Sequence, residues 1–289
     1  MPDKASAQSP GHITGFFVIY PNGSTGAGLN IEGGMKTTVE ITGNGRPRNL
    51  PDAFFMNGKK EKKGRLIVSE KVLELFRKKT GKEEKVTVRH RTKFPIGYGL
   101  GISGAGALSL TIALNNSFSA GLTKAQVLEI AKKAEIKCGT GLGDVVAEQF
   151  AGLIMGRKPY PSKGIERIKC REKYIVLGFF RPISTKKIIR SRKWKLKINK
   201  VGLECMREIE KEKTMGKFTE LSREFTLQSG LGTPEILRAM EKIPGASMSM
   251  LGETIFLPTS KPEKMKMALK KICKRAMIAK IAAKGAGLP

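Results

Sequence analysis

The chain has 289 residues, with 54 Lys or Arg against 25 Asp or Glu and a formal net charge of +29 at pH 7. This length allows one large domain or two smaller ones, and the 40% hydrophobic content supplies a core, which excludes a mainly disordered protein. The four cysteines are widely spaced and there are only two histidines, which argues against a disulfide scaffold, a zinc knuckle and a histidine-based metal centre.

The N-terminal residues and one long uncharged stretch indicate whether the protein is secreted, membrane-spanning or cytoplasmic. The first 12 residues contain no apolar segment, so we expect no secretory signal and a cytoplasmic protein. Residues 94–123 carry no charge over 30 residues, which is long enough to span a membrane. Because 14 of these 30 are Gly, Ser, Thr or Asn, the stretch instead predicts a glycine-rich loop followed by a buried helix.

Apolar periodicity in the first half predicts both strands and helices. The strands are expected at residues 11–20, 37–42, 86–90 and 153–155, and the helices at 68–79, from the glycine-rich segment to about 118, and 124–137. Between these elements, residues 21–28 are expected to form a turn and residues 43–64 a loop. Gly81 is expected to end the first helix, and Thr123 with Gln126 forms a capping box that opens the third.

The second half continues with a similar mixture. We expect strands at residues 174–180, 247–251 and 254–257, and helices at 201–212, 216–227, from Pro234 onward, and 262–284. The proline-containing segment 156–164 resembles a linker, and it divides the chain into predicted domains at 1–160 and 161–289. Strands and helices mixed in both halves predict an α+β fold.

The segment PIGYGLGISGAGA, residues 95–107, is the most informative. Glycines let the backbone approach a phosphate closely, and the helix that follows directs its positive N-terminus to the same place. Ser103, at the start of this helix, supplies a hydroxyl suited to Mg²⁺ between phosphates. The segment therefore predicts a site for a nucleoside triphosphate.

This segment has three alternative interpretations. Residues 99–104 formally match the G-x-G-x-x-G dinucleotide fingerprint, but no acid follows until Glu129, and a loop separates the segment from the preceding strand. A Walker A loop is excluded because no glycine stretch ends in Gly-Lys-Ser or Gly-Lys-Thr. The remaining alternative is a helix start whose glycines only allow tight packing.

A second glycine-rich motif, GTGLGD at residues 139–144, places an acid just beyond a predicted helix. Asp144 is a candidate to orient or deprotonate a bound hydroxyl for attack on phosphorus. Glu135, nine residues earlier, is a candidate Mg²⁺ ligand. The alternatives are an ordinary turn aspartate and a solvated helix glutamate.

Together these segments resemble the GHMP kinase superfamily, whose phosphate motif is Pro-x-x-x-Gly-Leu-Gly-Ser-Ser-Ala. Residues 95–104 match this motif, with Ile102 in place of the first Ser and Gly104 in place of the Ala. Ser103 stands where the superfamily has its Mg²⁺-ligating Ser. Pro10-Gly11-His12 resembles the first motif, with His12 where many members have Lys. Residues 245–252, GASMSMLG, resemble a degenerate third motif.

Several segments are similar to the archaeal pantoate kinase family within that superfamily: residues 11–17, 23–28, 139–144, 222–225 with 230–231, and 250–252 with Phe256. The resemblance implies a ribosomal-protein-S5-like N-terminal domain and a ferredoxin-like C-terminal domain. It also implies transfer of the γ-phosphoryl group of ATP to the primary hydroxyl of pantoate, giving 4-phosphopantoate for coenzyme A synthesis.

From these motifs and the resemblance together we expect the following roles. The phosphates are expected at Gly97, Gly99, Leu100, Gly101, Ile102, Ser103, Gly104 and Ala105, and Mg²⁺ at Ser103 and Glu135. Asp144 is expected to position the hydroxyl and take its proton, with His12 as a further catalytic candidate. Because pantoate is a carboxylate, His12, Thr14 and Arg157 are its candidate ligands. A homodimer is left open.

Two alternative functions remain at this stage. Another GHMP kinase would act on a different small alcohol or hydroxy acid. In a different class, the net charge and the basic run at residues 186–200, with Trp194 within it, are typical of a nucleic-acid-binding protein. The run lacks further aromatic residues for base stacking, so we expect no dedicated nucleic-acid partner. We also expect no membrane partner, with the basic segment 262–284 closing a core instead.

Overall fold

The computed structural model describes residues 3–42, 51–141, 143–159, 164–183, 188 and 191–289. Its strands are β1 Lys4–Tyr20, β2 Gly23–Ile41, β3 Ala53–Met56, β4 Lys59–Lys60, β5 Val86–Arg91, β6 Leu153–Gly156, β7 Ile165–Ile168, β8 Tyr174–Phe179, β9 Ser247–Ser249, β10 Thr254–Thr259 and β11 Arg275–Lys280. Its helices are α1 Ile67–Thr80, α2 Ile102–Ser117, α3 Lys124–Cys138, α4 Asp144–Ala147, α5 Arg192–Lys211, α6 Met215–Ser229, α7 Pro234–Lys242 and α8 Pro262–Lys270.

A seven-stranded sheet organises the first part of the chain. Its order is β4-β3-β5-β2-β6-β7, and the long strand β1 pairs antiparallel with β2. Helix α2 packs on β1 and β2 and is buried along most of its length, with α1 and α3 beside it. This packing explains the uncharged stretch: in the described part of the chain, no helix is both long and apolar enough to cross a membrane.

A four-stranded antiparallel sheet of order β11-β8-β10-β9 organises the second part. One hydrophobic core joins it to the large sheet, because Phe16 of β1 lies 6.1 Å from the ring of Phe218 on α6, and Phe218 stacks at 5.7 Å on Phe256 of β10. Strand β1 therefore contacts both layers. The larger cavity described below is lined in part from β1, the loop before α2 and the loop after β9.

The α+β fold class is confirmed, and so are most predicted elements. Helix α1 ends at Gly81, whose φ of 70° is the left-handed cap that glycine adopts without strain. The capping box of Thr123 and Gln126 is present at α3. The predicted division of the chain falls at residues 160–161, which lie outside the described residues, so the two domains stay a prediction. Strand β7 extends the large sheet by pairing with β6.

Three predicted elements are wrong. Within the loop expected over residues 43–64, residues 53–56 and 59–60 form β3 and β4, because β5 offers β3 a parallel partner. The expected helix over residues 262–284 ends at Lys270, and residues 275–280 form β11, because the open edge of β8 offers a strand partner that local periodicity does not reveal. The part of it expected to close a core does so, since Leu269 is fully buried. The expected turn over residues 21–28 is only two residues long, and Gly23 already pairs with Tyr20.

The basic run at residues 186–200 is described only at residue 188 and from Ser191 onward. Ser191 caps α5, and Ile198 of this helix is fully buried. Trp194 is partly buried against the core, with the Lys197 ammonium 5.9 Å from its ring. Its ring is therefore used in packing, and this weakens the nucleic-acid interpretation of the run.

Candidate active site

A cavity of about 470 Å³ begins at the glycine loop that precedes α2. Much of its polar and glycine lining comes from three parts of the chain: Gly97, Gly99, Gly101 and Ser103; Gly139, Thr140, Gly141, Gly143 and Asp144; and Thr14 with Ser24. Arg65, Ser69 and His90 line another side. Such a volume is typical of small-molecule sites. The two glycine-rich motifs of the sequence thus meet at one cavity.

The glycine loop needs glycine for conformational reasons. Gly97, Gly99 and Gly101 have φ values of 86°, 73° and 64°, in the left-handed region. Gly101 is the N-cap of α2 and supplies no side chain to bond the first N–H groups of the helix. These N–H groups, with the positive end of the helix, are therefore left for an anion.

Six of the eight residues predicted to bind phosphate line this cavity: Gly97, Gly99, Leu100, Gly101, Ile102 and Ser103. Gly104 and Ala105 are buried behind it, where a Cβ on Gly104 would lie 3.2 Å from both the Cβ of Asp144 and Oε2 of Glu148. Gly104 thus makes room for two acids beside the N-terminus of α2. The substitution of the superfamily's Ala by Gly has a packing reason here.

Ser103 and Glu135 are in contact, as their predicted shared role requires. The Ser103 hydroxyl donates a 2.6 Å hydrogen bond to Oε1 of Glu135, and Thr140 Oγ1 donates to the same oxygen at 2.7 Å. Oε2 of Glu135 is buried and has no hydrogen-bond partner among the described residues. Burial raises the pKa of Glu135 to about 7 against the effect of both hydrogen bonds, and nearby Asp144 raises it further.

This donor set fits Mg²⁺. The ion prefers oxygen ligands and usually takes one or two carboxylates together with phosphate oxygens. An unpartnered buried carboxylate oxygen beside a hydroxyl matches that requirement. No group of three or more His, Cys, Asp or Glu side chains in the described ranges is arranged to hold a metal alone, so phosphates would have to complete the shell.

Asp144 lies at the wall between this cavity and a smaller one of about 70 Å³. The two cavities share Thr14, Phe17, Ser24, Gly143 and Asp144, and the smaller one adds His12, Thr25 and Lys158. Burial raises the pKa of Asp144, while the charge of His12 and a hydrogen bond from Thr14 oppose that shift. A carboxylate in this place reaches ligands in both cavities.

The His12 ring is held by Asn30 in a defined orientation. Both hydrogens of the Asn30 amide go to backbone carbonyls, at 2.8 Å to Ala147 and 2.8 Å to Phe150, so its Oδ1 is free to accept. Nδ1 of His12 lies 2.7 Å from that oxygen and is therefore the protonated nitrogen. Burial lowers the pKa of His12 despite the opposing effect of Asp144, so the neutral ring presents Nε2 as an acceptor.

Arg157 is not brought to these cavities. Its guanidinium is 43% exposed and pairs with Glu166 and Glu210, 2.9 Å from Oε2 of Glu210. The neighbouring Lys158 lines the smaller cavity instead. Among the described residues, no other Lys or Arg lines this cavity. The sequence alone does not show which of these two adjacent cations lines the cavity, because the direction of each side chain depends on the path of the backbone after β6.

Glu148 is the acid that sequence reasoning missed. It is fully buried, and neither carboxylate oxygen has a partner in the described part of the chain; the nearby Ser9 hydroxyl is directed to the carbonyl of Pro10 at 3.4 Å. Burial, then the charges of Asp144 and Glu135, raise its pKa well above its usual value. Its spacing of four residues from Asp144 was the available signal, since such residues share a helix face.

Comparison with known proteins agrees with this geometry. The family described as the GHMP kinases N-terminal domain matches residues 66–152. Pantoate kinase of Methanocaldococcus jannaschii is 37% identical over 271 residues, covering 90% of this chain and 94% of that protein. The chain belongs to the pantoate kinase family of GHMP kinases. Pantoate kinase of Thermococcus kodakarensis is 32% identical over 86% of this chain and 85% of its own.

A solved structure supports membership of this family. The structure of a phosphotransferase related to the CoA biosynthesis pathway superposes with a TM-score of 0.84 and 26% identity, covering 99% of this chain and 98% of the other. The chain is an ATP-dependent phosphotransferase with an alcohol group as acceptor. The GHMP kinase fold expected from the sequence is confirmed, and the nucleic-acid alternative is not favoured.

Proposed function

We propose that this protein phosphorylates the primary hydroxyl of pantoate with ATP and Mg²⁺, giving 4-phosphopantoate for coenzyme A synthesis. The position of Asp144 carries the proposal, since this buried carboxylate is shared by a cavity that starts at a helix N-terminus and a smaller cavity that contains a lysine. The relatives named above supply the identity of the acceptor.

The larger cavity suits the triphosphate. Backbone N–H groups of the glycine loop and the first turn of α2 bind phosphate oxygens, and the left-handed glycines allow the chain to approach them closely. Ser103 and Glu135 are the residues that would hold Mg²⁺. When bound, the ion neutralises negative charge on the phosphates during transfer.

The smaller cavity suits a short hydroxy acid. Lys158 binds the pantoate carboxylate, and Nε2 of the neutral His12 accepts a hydrogen bond from a hydroxyl of the acceptor. Thr14 keeps Asp144 in place with a hydrogen bond. The apolar lining, which includes Phe16, Phe17, Ala27 and Ile154, contacts the hydrocarbon part of the substrate.

Asp144 orients the attacking hydroxyl and takes its proton late in the transfer. Burial raises the pKa of Asp144, which makes it a stronger base than an exposed aspartate, and Thr14 holds the carboxyl group with a hydrogen bond. The bond that forms joins the acceptor oxygen to the γ-phosphorus, and the bond that breaks releases ADP.

A phosphoryl-transfer screen tests the proposal. ATP with Mg²⁺ is offered with pantoate, homoserine, mevalonate or shikimate, and ADP release and the phosphorylated product are measured. Pantoate should be phosphorylated with kcat/KM at least about 30-fold above the other three, because a mispaired buried polar group costs about 2 kcal/mol or more. Preference for another acceptor would keep the kinase assignment and overturn the substrate.

A further inference from the structure

A third cavity, of about 590 Å³, lies apart from the two cavities of the candidate active site, and we name it the basic groove. Among the described residues, only Met35 lines both the basic groove and the larger active-site cavity. Four cationic side chains line the basic groove, against the single acid Glu32: Lys36, Arg91, Lys93 and Lys284. The proposed kinase chemistry uses none of them.

A bulge in β2 builds the basic groove. Ser9 pairs with Met35 and Gly11 with Ile31, so three residues of β2, 32–34, stand opposite Pro10 alone. Gly34 is pressed against β1, where a Cβ would lie 2.2 Å from the nitrogen of Gly11. The backbone of β1 and β2 therefore shapes one side of the groove, and residues 91–93 with residues 282–285 line the rest.

Two of the cations lie directly opposite each other on adjacent strands of the sheet. Lys36 of β2 and Arg91 of β5 are direct partners in the antiparallel register. Like charges at such positions destabilise a sheet, because their Cβ atoms are only about 5 Å apart. The side chain of Lys93 continues the same line of charge, lying over Gly33 so that a Cβ there would be 3.1 Å from its Cδ.

These charges are not neutralised by the protein. None of the four cations has an ion-pair partner within 4.0 Å among the described residues, whereas ten other Lys and Arg side chains do. An unpaired charge is ordinary on a basic surface. Four around one concavity, two of them opposed in register, would be stabilised by an anion that bridges them.

We propose that the basic groove is a second binding site, separate from the catalytic cavity, for a small molecule that carries phosphate groups. Its volume lies in the range of small-molecule sites, and three to four cations match the charge of a diphosphate. Arg91 contributes planar N–H donors, and the lysines contribute point charges.

Inorganic pyrophosphate is the probe for this site. Calorimetric titration at 0.15 M salt is carried out on the full chain saturated with a non-hydrolysable ATP analogue, so that the catalytic cavity is occupied. One pyrophosphate per chain should bind. The double variant Arg91→Gln, Lys93→Gln should weaken that binding at least about tenfold, because each lost charge-assisted contact is worth about 1.5 kcal/mol or more.

A matched control separates a site from general charge. The variant Lys264→Gln, Lys270→Gln removes two exposed cations of α8 and should leave pyrophosphate affinity within twofold of the unchanged chain. The groove variant should also keep the Kd for the non-hydrolysable ATP analogue, which is measured without any acceptor and so does not depend on the acceptor assignment. Equal loss in both double variants, no binding at millimolar pyrophosphate, or a parallel rise in the Kd for the ATP analogue would each overturn the proposal. Because removal of Arg91 relieves a like-charge pair, the groove variant should be no less stable to heat.

Discussion

Ser249 donates a 2.5 Å hydrogen bond to the carbonyl oxygen of Gly99, across 150 residues of chain. Thr254 Oγ1 donates similarly to the carbonyl of Tyr98 at 2.7 Å. Residues 249–254 thus hold the glycine loop from behind. The degenerate third motif of the sequence acts here as a support for the second motif.

The close contact at Gly252 gives the first prediction. A Cβ at this position would lie 2.0 Å from the carbonyl carbon of Tyr98 and 2.2 Å from the nitrogen of Gly99. Gly252→Ala should displace the loop and raise the Kd for ATP at least about tenfold, measured by calorimetry. Gly216→Ala is the control, since its Cβ would meet nothing closer than 3.9 Å and it lies in a helix. Unchanged ATP affinity in Gly252→Ala would contradict the support role.

Asp144 gives the second prediction. Asp144→Asn keeps the shape and removes the base, so kcat should fall about 10²–10⁴-fold. The thermal midpoint should not fall, because an amide is less costly to bury than a carboxylate. Steady-state kinetics and calorimetric melting measure both. A kcat within tenfold of the unchanged enzyme would remove Asp144 from the reaction.

Ser103 tests the metal assignment. Ser103→Ala deletes a proposed Mg²⁺ ligand and a hydrogen bond to Glu135, so the Mg²⁺ concentration for half-maximal activity should rise at least about tenfold. Ser109→Ala, in the same helix but outside the cavity, is the control and should leave the Mg²⁺ titration unchanged. Identical titrations for Ser103→Ala and the unchanged enzyme would place the ion elsewhere.

Glu135 predicts a pH dependence. Its pKa of about 7 means that Mg²⁺ must displace a proton below that pH. Mg²⁺-ATP affinity should therefore rise about tenfold per pH unit up to pH 7 and then level off, as measured by calorimetry at pH 5.5–8.5. A flat profile would contradict the assignment.

The stability of the ligand-free protein should change in the opposite direction. Because folding raises this pKa, the native state binds the extra proton, and Glu135 contributes stability that is lost as pH rises through 7. Glu135→Gln should remove that part of the pH dependence and raise the melting temperature at pH 8 by a few degrees. Melting curves at pH 6 and pH 8 measure it.

Lys158 and Arg157 form a matched pair for the acceptor carboxylate. Lys158→Met should raise the KM for pantoate at least about tenfold with the KM for ATP unchanged, because it removes the cation of the smaller cavity. Arg157→Met removes an exposed ion pair and should change the KM for pantoate less than threefold. The reverse order would assign the carboxylate to Arg157.

The local motifs of the site were predictable from the sequence because their reasons are local. Glycines at 97, 99 and 101 permit the left-handed turns, and Thr123 with Gln126 caps its own helix. The positions of Ser103, Glu135 and Asp144 in and beside the glycine-rich motifs predicted their roles, and the family resemblance supports that of Ser103. Glu148 was missed because an acid without a partner in a core has no signature beyond its spacing from Asp144.

The sequence by itself determined the α+β class, the phosphate loop, the family and most helices, since periodicity, capping and motif spacing act within short stretches of chain. Only the tertiary structure decided that residues 275–280 form a strand, that Lys158 and not Arg157 lines the smaller cavity, and that Lys36 faces Arg91. These features depend on which segments meet. That outcome is set by burial and sheet pairing over long sequence separations, which no local pattern encodes.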